Sequence, residues 1–168
     1  MAVSRVLIAG PTGRRQWELS YVSEFASKFY SGDRFQTYVH LGRDPALGRE
    51  EELQGDEANL LRVGMRWADL IIIREKELLV VEGKLRPGEY MTGLSQLELY
   101  IRLVPHTQDF LAYRQKDVHG ILLIPLEDPV VAAMGRERGF RVIIWKPDWF
   151  QDFLSSLTPR ARRPSRSV

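Results

Sequence analysis

The chain has 168 residues, enough for one domain with a sizeable core, and its 44% hydrophobic and 27% charged content is that of an ordinary soluble globular protein. It has no cysteine, which excludes disulfides and thiolate metal sites, and its only histidines, His40, His106 and His119, share no helical ligand spacing, so any metal is expected to be a hard cation on carboxylates. The net charge of +2 comes from Arg160, Arg162, Arg163 and Arg166; without them the body carries −2, so the tail alone argues for an anionic partner.

In chain order, Arg5–Ala9 is predicted to be a short strand, stopped by Gly10-Pro-Thr-Gly13. That turn lacks the Gly-Lys-Ser/Thr ending of a phosphate loop and is read as a turn. Arg14–Tyr30 carries Trp17, Tyr21, Val22, Phe25 and Phe29 at helical spacing. Phe35–Leu41 is strand-like. Gly42–Val63 is acidic through Glu50, Glu51, Glu52, Asp56 and Glu57, and is expected to be loop with a helical stretch. Ala68–Arg74 and Leu78–Lys84 are two aliphatic strands around a tight turn, and Arg86-Pro-Gly88 breaks the chain. Helices are predicted at Thr92–Leu103, Gln108–Gln115, Pro129–Arg138 and Asp148–Leu157, with strands at His119–Pro125 and Phe140–Trp145. From Thr158 onward, proline and arginine without apolar residues until Val168 suggest a disordered tail, leaving one domain over 1–157 and a basic segment over 158–168. The element order predicts an α/β domain with a mixed sheet covered by helices on both faces.

No apolar run approaches the ~20 residues of a membrane span. The N-terminus has no signal-peptide pattern, so a cytoplasmic location is expected, in a cell or acting there from a phage or mobile element.

The residues that carry chemistry lie on the strand pair. A two-residue turn at Glu75-Lys76 sets Asp69 opposite Glu82; a turn at Lys76-Glu77 sets it opposite Lys84. Either register puts Asp69, Glu82 and Lys84 on one face, and a three-residue turn would break the arrangement. Ile71, Ile73, Leu78 and Val80 line one face, and Leu70, Ile72, Leu79 and Val81 the other, so both faces are expected to be buried. Two carboxylates and an ammonium at the ends of such strands are costly unless paired, solvated or bound to a cation such as Mg²⁺ or Mn²⁺. The plain alternative is a structural ion pair at the end of a hairpin.

Asp69, twelve residues, then Glu82-Gly-Lys84 resembles the signature of the PD-(D/E)XK nuclease superfamily, with Ala68 where the motif's proline would stand. Gln96-Leu-Glu-Leu-Tyr100 resembles the QxxxY helix of its RecB-like exonuclease branch. The resemblance implies a restriction-endonuclease-like αβββαβ core over Arg14–Pro125 and metal-dependent hydrolysis of DNA in recombination, repair or processing. It implies that Asp69, Glu82 and the Gly83 carbonyl hold Mg²⁺ or Mn²⁺, that Lys84 orients or activates water, and that Gln96 and Tyr100 contact the strand that is cut. An acid from the first helix often joins such sites; Glu24 is the first choice here and Glu18 the next, with Asp56 or Glu57 behind them. Arg160, Arg162 and Arg163 are expected to touch DNA phosphates. The resemblance covers both a RecB-like nuclease and a Holliday-junction resolvase acting as a homodimer. The rival reading is a non-catalytic DNA-binding or assembly module that kept the fold.

Overall fold

The computed structural model describes residues 13–42 and 67–157. The expected strand Arg5–Ala9, the acidic stretch with Asp56 and Glu57, and the tail with Arg160, Arg162 and Arg163 lie outside the described residues.

Within them, four helices cover a five-stranded mixed sheet. The order is α1 (Gly13–Phe29), β1 (Arg34–His40), β2 (Trp67–Ile73), β3 (Leu78–Gly83), α2 (Tyr90–Leu103), β4 (Val118–Ile124), α3 (Pro129–Glu137), β5 (Arg141–Ile144) and α4 (Phe150–Leu157). The strands lie in sequence order. β1, β2 and β3 are antiparallel neighbours, while β3, β4 and β5 run parallel, joined by α2 and α3. The α/β class with a mixed sheet is therefore as expected.

The hairpin adopts the first of the two registers read from sequence. Pairing runs from Ile73–Leu78 to Leu70–Val81, and the Arg74 N–H donates to the Glu77 carbonyl at 3.0 Å around the two-residue loop Glu75-Lys76. Alternation then sorts the aliphatic side chains to two cores. Ile71, Leu78 and Val80 meet Tyr90, Leu94, Leu97, Tyr100 and Leu103 of α2 and Val131 of α3. Leu70, Ile72, Leu79 and Val81 meet Tyr21, Val22, Phe25 and Ala26 of α1 and Phe150 and Phe153 of α4. Each fully buried aliphatic side chain contributes roughly 1.5–3 kcal/mol against the entropy of ordering it.

The helices carry their own stop signals. Asp128 caps α3, its Oδ1 accepting from the Val130 and Val131 N–H groups at 3.1 Å each, with Pro129 at the first helical position. α3 ends where Gly139 takes φ +77°, and Phe140 N–H donates back to the Gly135 carbonyl at 2.8 Å, a Schellman closure that needs glycine's left-handed freedom.

One predicted element is absent. Gln108–Gln115 is not an α-helix but two 3₁₀ turns, Gln108–Phe110 and Gln115–Asp117. Thr107 diverts the chain: its hydroxyl donates to the Leu103 carbonyl at 3.1 Å and accepts from Gly42 N–H at 2.8 Å. Phe110 is the buried side chain that anchors the first of these turns.

Candidate active site

Asp69, Glu82 and Lys84 are the buried charged side chains of the described residues, exposed by 2%, 2% and 8%. They gather where β2 and β3 part. The ladder between these strands stops at Leu70–Val81, and the Gly83 N–H turns to Asp69 Oδ2 at 3.1 Å. Beyond it the Lys84 N–H donates to the Leu123 carbonyl at 3.0 Å, which ties the end of β3 to β4. Lys84 Nζ lies 2.9 Å from Glu82 Oε1. Glu82 Oε2 is buried with no hydrogen-bond partner, and so is Gln96 Oε1 on α2. Buried acceptors are seldom left so, and one at a functional site points to an ion or solvent partner.

The electrostatics follow from burial. Desolvation, then the charge of Asp69, pushes the Glu82 carboxyl up to about 8, against the opposing pull of Lys84. Burial works to lower Lys84, but Glu82, Glu18 and Asp69 together outweigh it and leave its ammonium above its ordinary value. Lys84 is therefore a fixed positive charge at neutral pH, while Glu82 is poised to hold or release a proton.

Two glycines let helices close on these groups. An ideal Cβ on Gly83 would stand 2.7 Å from Val22 Cγ1 and 3.3 Å from Tyr21 Cδ1. Any larger residue would hold α1 away from β3. On the opposite face, a Cβ on Gly93 would meet Leu122 Cδ1 at 2.6 Å and Lys84 Cγ at 3.0 Å, so α2 rests directly on the lysine stem.

The other residues singled out from sequence divide. Glu18 acts electrostatically on both Glu82 and Lys84, and its carbonyl lies 3.8 Å from the Gly83 Cβ position. Glu24, the preferred helical acid, is not brought to the site: its Oε2 accepts from Trp149 Nε1 at 2.7 Å. Six residues make about one and two-thirds turns of an α-helix and leave the two acids about 120° apart, so one helix cannot aim both at the same point. Gln96 stands one turn after Gly93 on the sheet-facing side of α2 and is half-buried. Tyr100, expected from sequence to contact DNA, lies in the interior. It is fully buried in the α2-side core, and its hydroxyl meets Gln96 Nε2 at 3.5 Å, at the limit of a hydrogen bond. Sequence reading missed Gly93; the signal, a glycine as the second residue of a predicted helix, was present.

No protein-family model matches the chain, and no curated protein matches it in sequence. Among solved structures it is similar to a repair endonuclease from Pyrococcus abyssi, at 13% identity and TM-score 0.45, over 83% of this chain and 50% of that one. It is similar also to EndoMS in a complex with double-stranded DNA, at 12% identity and TM-score 0.44, over 86% of this chain and 49% of the other. A third, a protein of unknown function, matches at 9% identity and TM-score 0.47, over 86% and 73%. The chain thus spans about half the length of the two nuclease chains. Among the described residues no helix is long and apolar enough to cross a membrane.

Proposed function

We propose that this chain is a divalent-cation-dependent deoxyribonuclease of the PD-(D/E)XK type. The observation that carries the reading is the convergence of the three buried charges, Asp69, Glu82 and Lys84, at one end of a hairpin, with Glu82 Oε2 lacking a partner.

Asp69 and Glu82 would hold Mg²⁺ or Mn²⁺, with the Gly83 carbonyl and Glu18 in support. The donors are all oxygen, as a hard cation requires. Among the described residues no three His, Cys, Asp or Glu side chains gather closely enough to hold an ion by themselves. Mg²⁺ is usually held by one or two carboxylates and keeps water and phosphate oxygens in its shell, so Asp69 and Glu82 would suffice as its side-chain ligands. When bound, the cation would supply Lewis acidity towards a phosphoryl group and the water that attacks it.

The protein's own groups do the rest. Lys84 stays protonated, so it donates hydrogen bonds rather than accepting a proton. It orients the attacking water and stabilises negative charge as it builds on the phosphoryl oxygens, in a site shielded from bulk solvent. Gly93 fixes its stem, and Gln96, one turn further along α2, carries a second buried oxygen without a partner.

Purified protein incubated with labelled single-stranded, duplex, flap and four-way-junction DNA, with Mg²⁺, Mn²⁺ or EDTA, tests the proposal. Metal-dependent cutting supports it. Symmetric cutting of the junction would favour a resolvase, and degradation from an end would favour an exonuclease. One observation favours a second reading: Lys84 Nζ already hydrogen-bonds Glu82 Oε1 at 2.9 Å, a contact that a non-catalytic DNA-binding or assembly module could retain. That reading expects DNA binding without cutting under every metal condition.

A further inference from the structure

Among the described residues β5, Arg141–Ile144, is the outer strand of the sheet beside β4. The Trp145 N–H donates to the Ile124 carbonyl at 2.9 Å, so the odd-numbered residues here direct their backbone groups to β4. Val142 and Ile144 therefore direct their N–H and C=O groups away from the sheet. Both side chains lie on the α3 face; Val142 packs with the α2-side core, whereas Ile144 is 48% exposed. Two more exposed apolar side chains stand at this end of β5. α3 leaves the end of β4 and runs back along it, so its first turn, with Val130 67% exposed, lies where β5 ends. Gly135 of α3 faces Val142 and Leu94 of α2, and Val130, five residues earlier, is turned about 140° from it, towards the outer flank. On the other face Phe29, 52% exposed, sets its edge against the Trp145 ring at 5.9 Å.

An aliphatic edge strand is a template for another strand, and proteins normally blunt such an edge with charge or irregular backbone. The opposite edge has both: within β1, Tyr38 takes φ +53°, and Arg34, Gln36 and His40 are exposed. The centre of β5, Val142-Ile143-Ile144, has neither. It is instead complementary to itself. When a second copy pairs antiparallel about a two-fold axis at Ile143, Val142 faces Ile144 of the other copy in a hydrogen-bonded pair, and the axis passes through a non-hydrogen-bonded pair, as the direction of the backbone groups requires. Just outside, Arg141 falls opposite the other copy's Trp145, and Lys146 opposite its Phe140, so each cation meets a ring. Moving the axis to Val142 sets Arg138 opposite Lys146, cation against cation; moving it to Ile144 sets Lys146 opposite Val142.

We propose that the β5 edge is a dimer interface, with a second copy of this chain as its occupant and Ile143 on the two-fold axis. The pairing joins two five-stranded sheets into one continuous sheet and brings the two copies of α3 side by side on one face, which covers Ile144 and Val130. Because the axis reverses strand direction, the two sets of Asp69, Glu82 and Lys84 open at opposite ends of the joined sheet. Dimerisation through β5 does not depend on whether the chain cuts DNA.

Sedimentation velocity of the full-length protein from about 1 μM to about 100 μM should show a species of twice the chain mass that dissociates on dilution. Ile144→Pro removes an outward N–H and leaves the ladder to β4 intact, a change that edge strands tolerate. Ile144→Lys sets a charge against Val142 of the other copy. Each substitution enters the interface twice, once per copy, and should raise the dimer Kd by about tenfold or more, with the circular dichroism of the monomer unchanged. The chain has no cysteine, so single cysteines report contacts cleanly. Under mild oxidation Ile143→Cys should crosslink to its own copy, because facing residues of a non-hydrogen-bonded pair stand about 4.5 Å apart at Cα, within disulfide reach; Gln36→Cys on β1 should not. A monomer at every concentration overturns the proposal. So does a dimer whose Kd is unchanged in Ile144→Lys, or one that Gln36→Cys crosslinks and Ile143→Cys does not. An intramolecular disulfide in the double variant Leu7→Cys, Ile143→Cys would assign the edge to the chain's own N-terminal segment and overturn the dimer likewise.

Discussion

Replacing Gly83 with alanine tests how the site is assembled. The new methyl would begin 2.7 Å from Val22 Cγ1 and 3.3 Å from Tyr21 Cδ1, against about 3.5–4.0 Å for ordinary carbon contact. Val22 and Tyr21 are fully buried and Val22 is too short to swing away, so α1 must lift from β3 by a large part of 1 Å. Overpacking of this kind costs about 1–3 kcal/mol, and for a protein of this size lowers Tm by roughly 3–10 °C. Because Glu18 rides on α1, DNA cleavage should fall by more than the loss of folded protein explains; a misplacement near 1 Å can cost about a hundredfold. The assay is urea denaturation and single-turnover cleavage of Gly83→Ala, Val22→Ala and the double variant. Val22→Ala alone should cost about 1–3 kcal/mol from lost burial and the space left behind. In the double variant the two methyl changes compensate, so its cost should be smaller than the sum by about 1 kcal/mol or more. Strict additivity, or a Gly83→Ala protein as stable as the parent, would refute the claim that this glycine seats α1 on the hairpin.

Three further outcomes follow from the same geometry. Gly93→Ala should lower single-turnover cleavage at least tenfold with a stability loss of only about 1–3 kcal/mol, because its methyl meets the Lys84 stem and Leu122; unchanged cleavage in the folded variant would remove Gly93 from the account. Glu18→Gln should weaken Mn²⁺ affinity and cleavage by about tenfold or more, whereas Glu24→Gln should leave both within about twofold, measured by calorimetry and by cutting; the reverse ranking would restore Glu24. Stability of the metal-free protein should fall as pH rises from about 4.5 to about 8, since folded Glu82 keeps its proton over that window while the unfolded chain has lost it. The slope should be on the order of 1 kcal/mol per pH unit and should vanish in Glu82→Gln, as read from urea midpoints between pH 5 and 8. A midpoint that rises with pH in metal-free buffer, and does so only when Glu82 is present, would contradict the buried, protonated carboxyl.

Much of this was legible in the chain because it depends on short-range rules. The alternating aliphatic residues of Leu70–Ile73 and Leu78–Val81 name both cores, and the two-residue loop Glu75-Lys76 fixes the register that brings Asp69 and Glu82 together. What sequence could not settle depends on tertiary contact. Nothing local distinguishes Glu18 from Glu24 on α1; only the packing of α1 against β3 shows that Glu18 acts on Glu82 and Lys84 while Glu24 accepts from Trp149. The spacing of Gln96 and Tyr100 puts them on one helix face, but only packing shows that this face is turned to the core. The helix expected at Gln108–Gln115 was lost to a side-chain hydrogen bond from Thr107. Tyr38 had no signal at all, since glycine or asparagine is the usual occupant of its backbone conformation.

The central claim is that Asp69, Glu82 and Lys84 act as one cation-dependent hydrolytic site, and single-turnover cleavage tests it most directly. Asp69→Asn, Glu82→Gln and Lys84→Ala, each shown to be folded by its thermal transition, are compared with the unaltered protein on the best DNA substrate in Mg²⁺, Mn²⁺ and EDTA. The account predicts cutting that EDTA abolishes and that each substitution lowers by about a hundredfold or more. Cutting that survives EDTA, or any one of the three folded variants cutting within a few-fold of the unaltered protein, would contradict it.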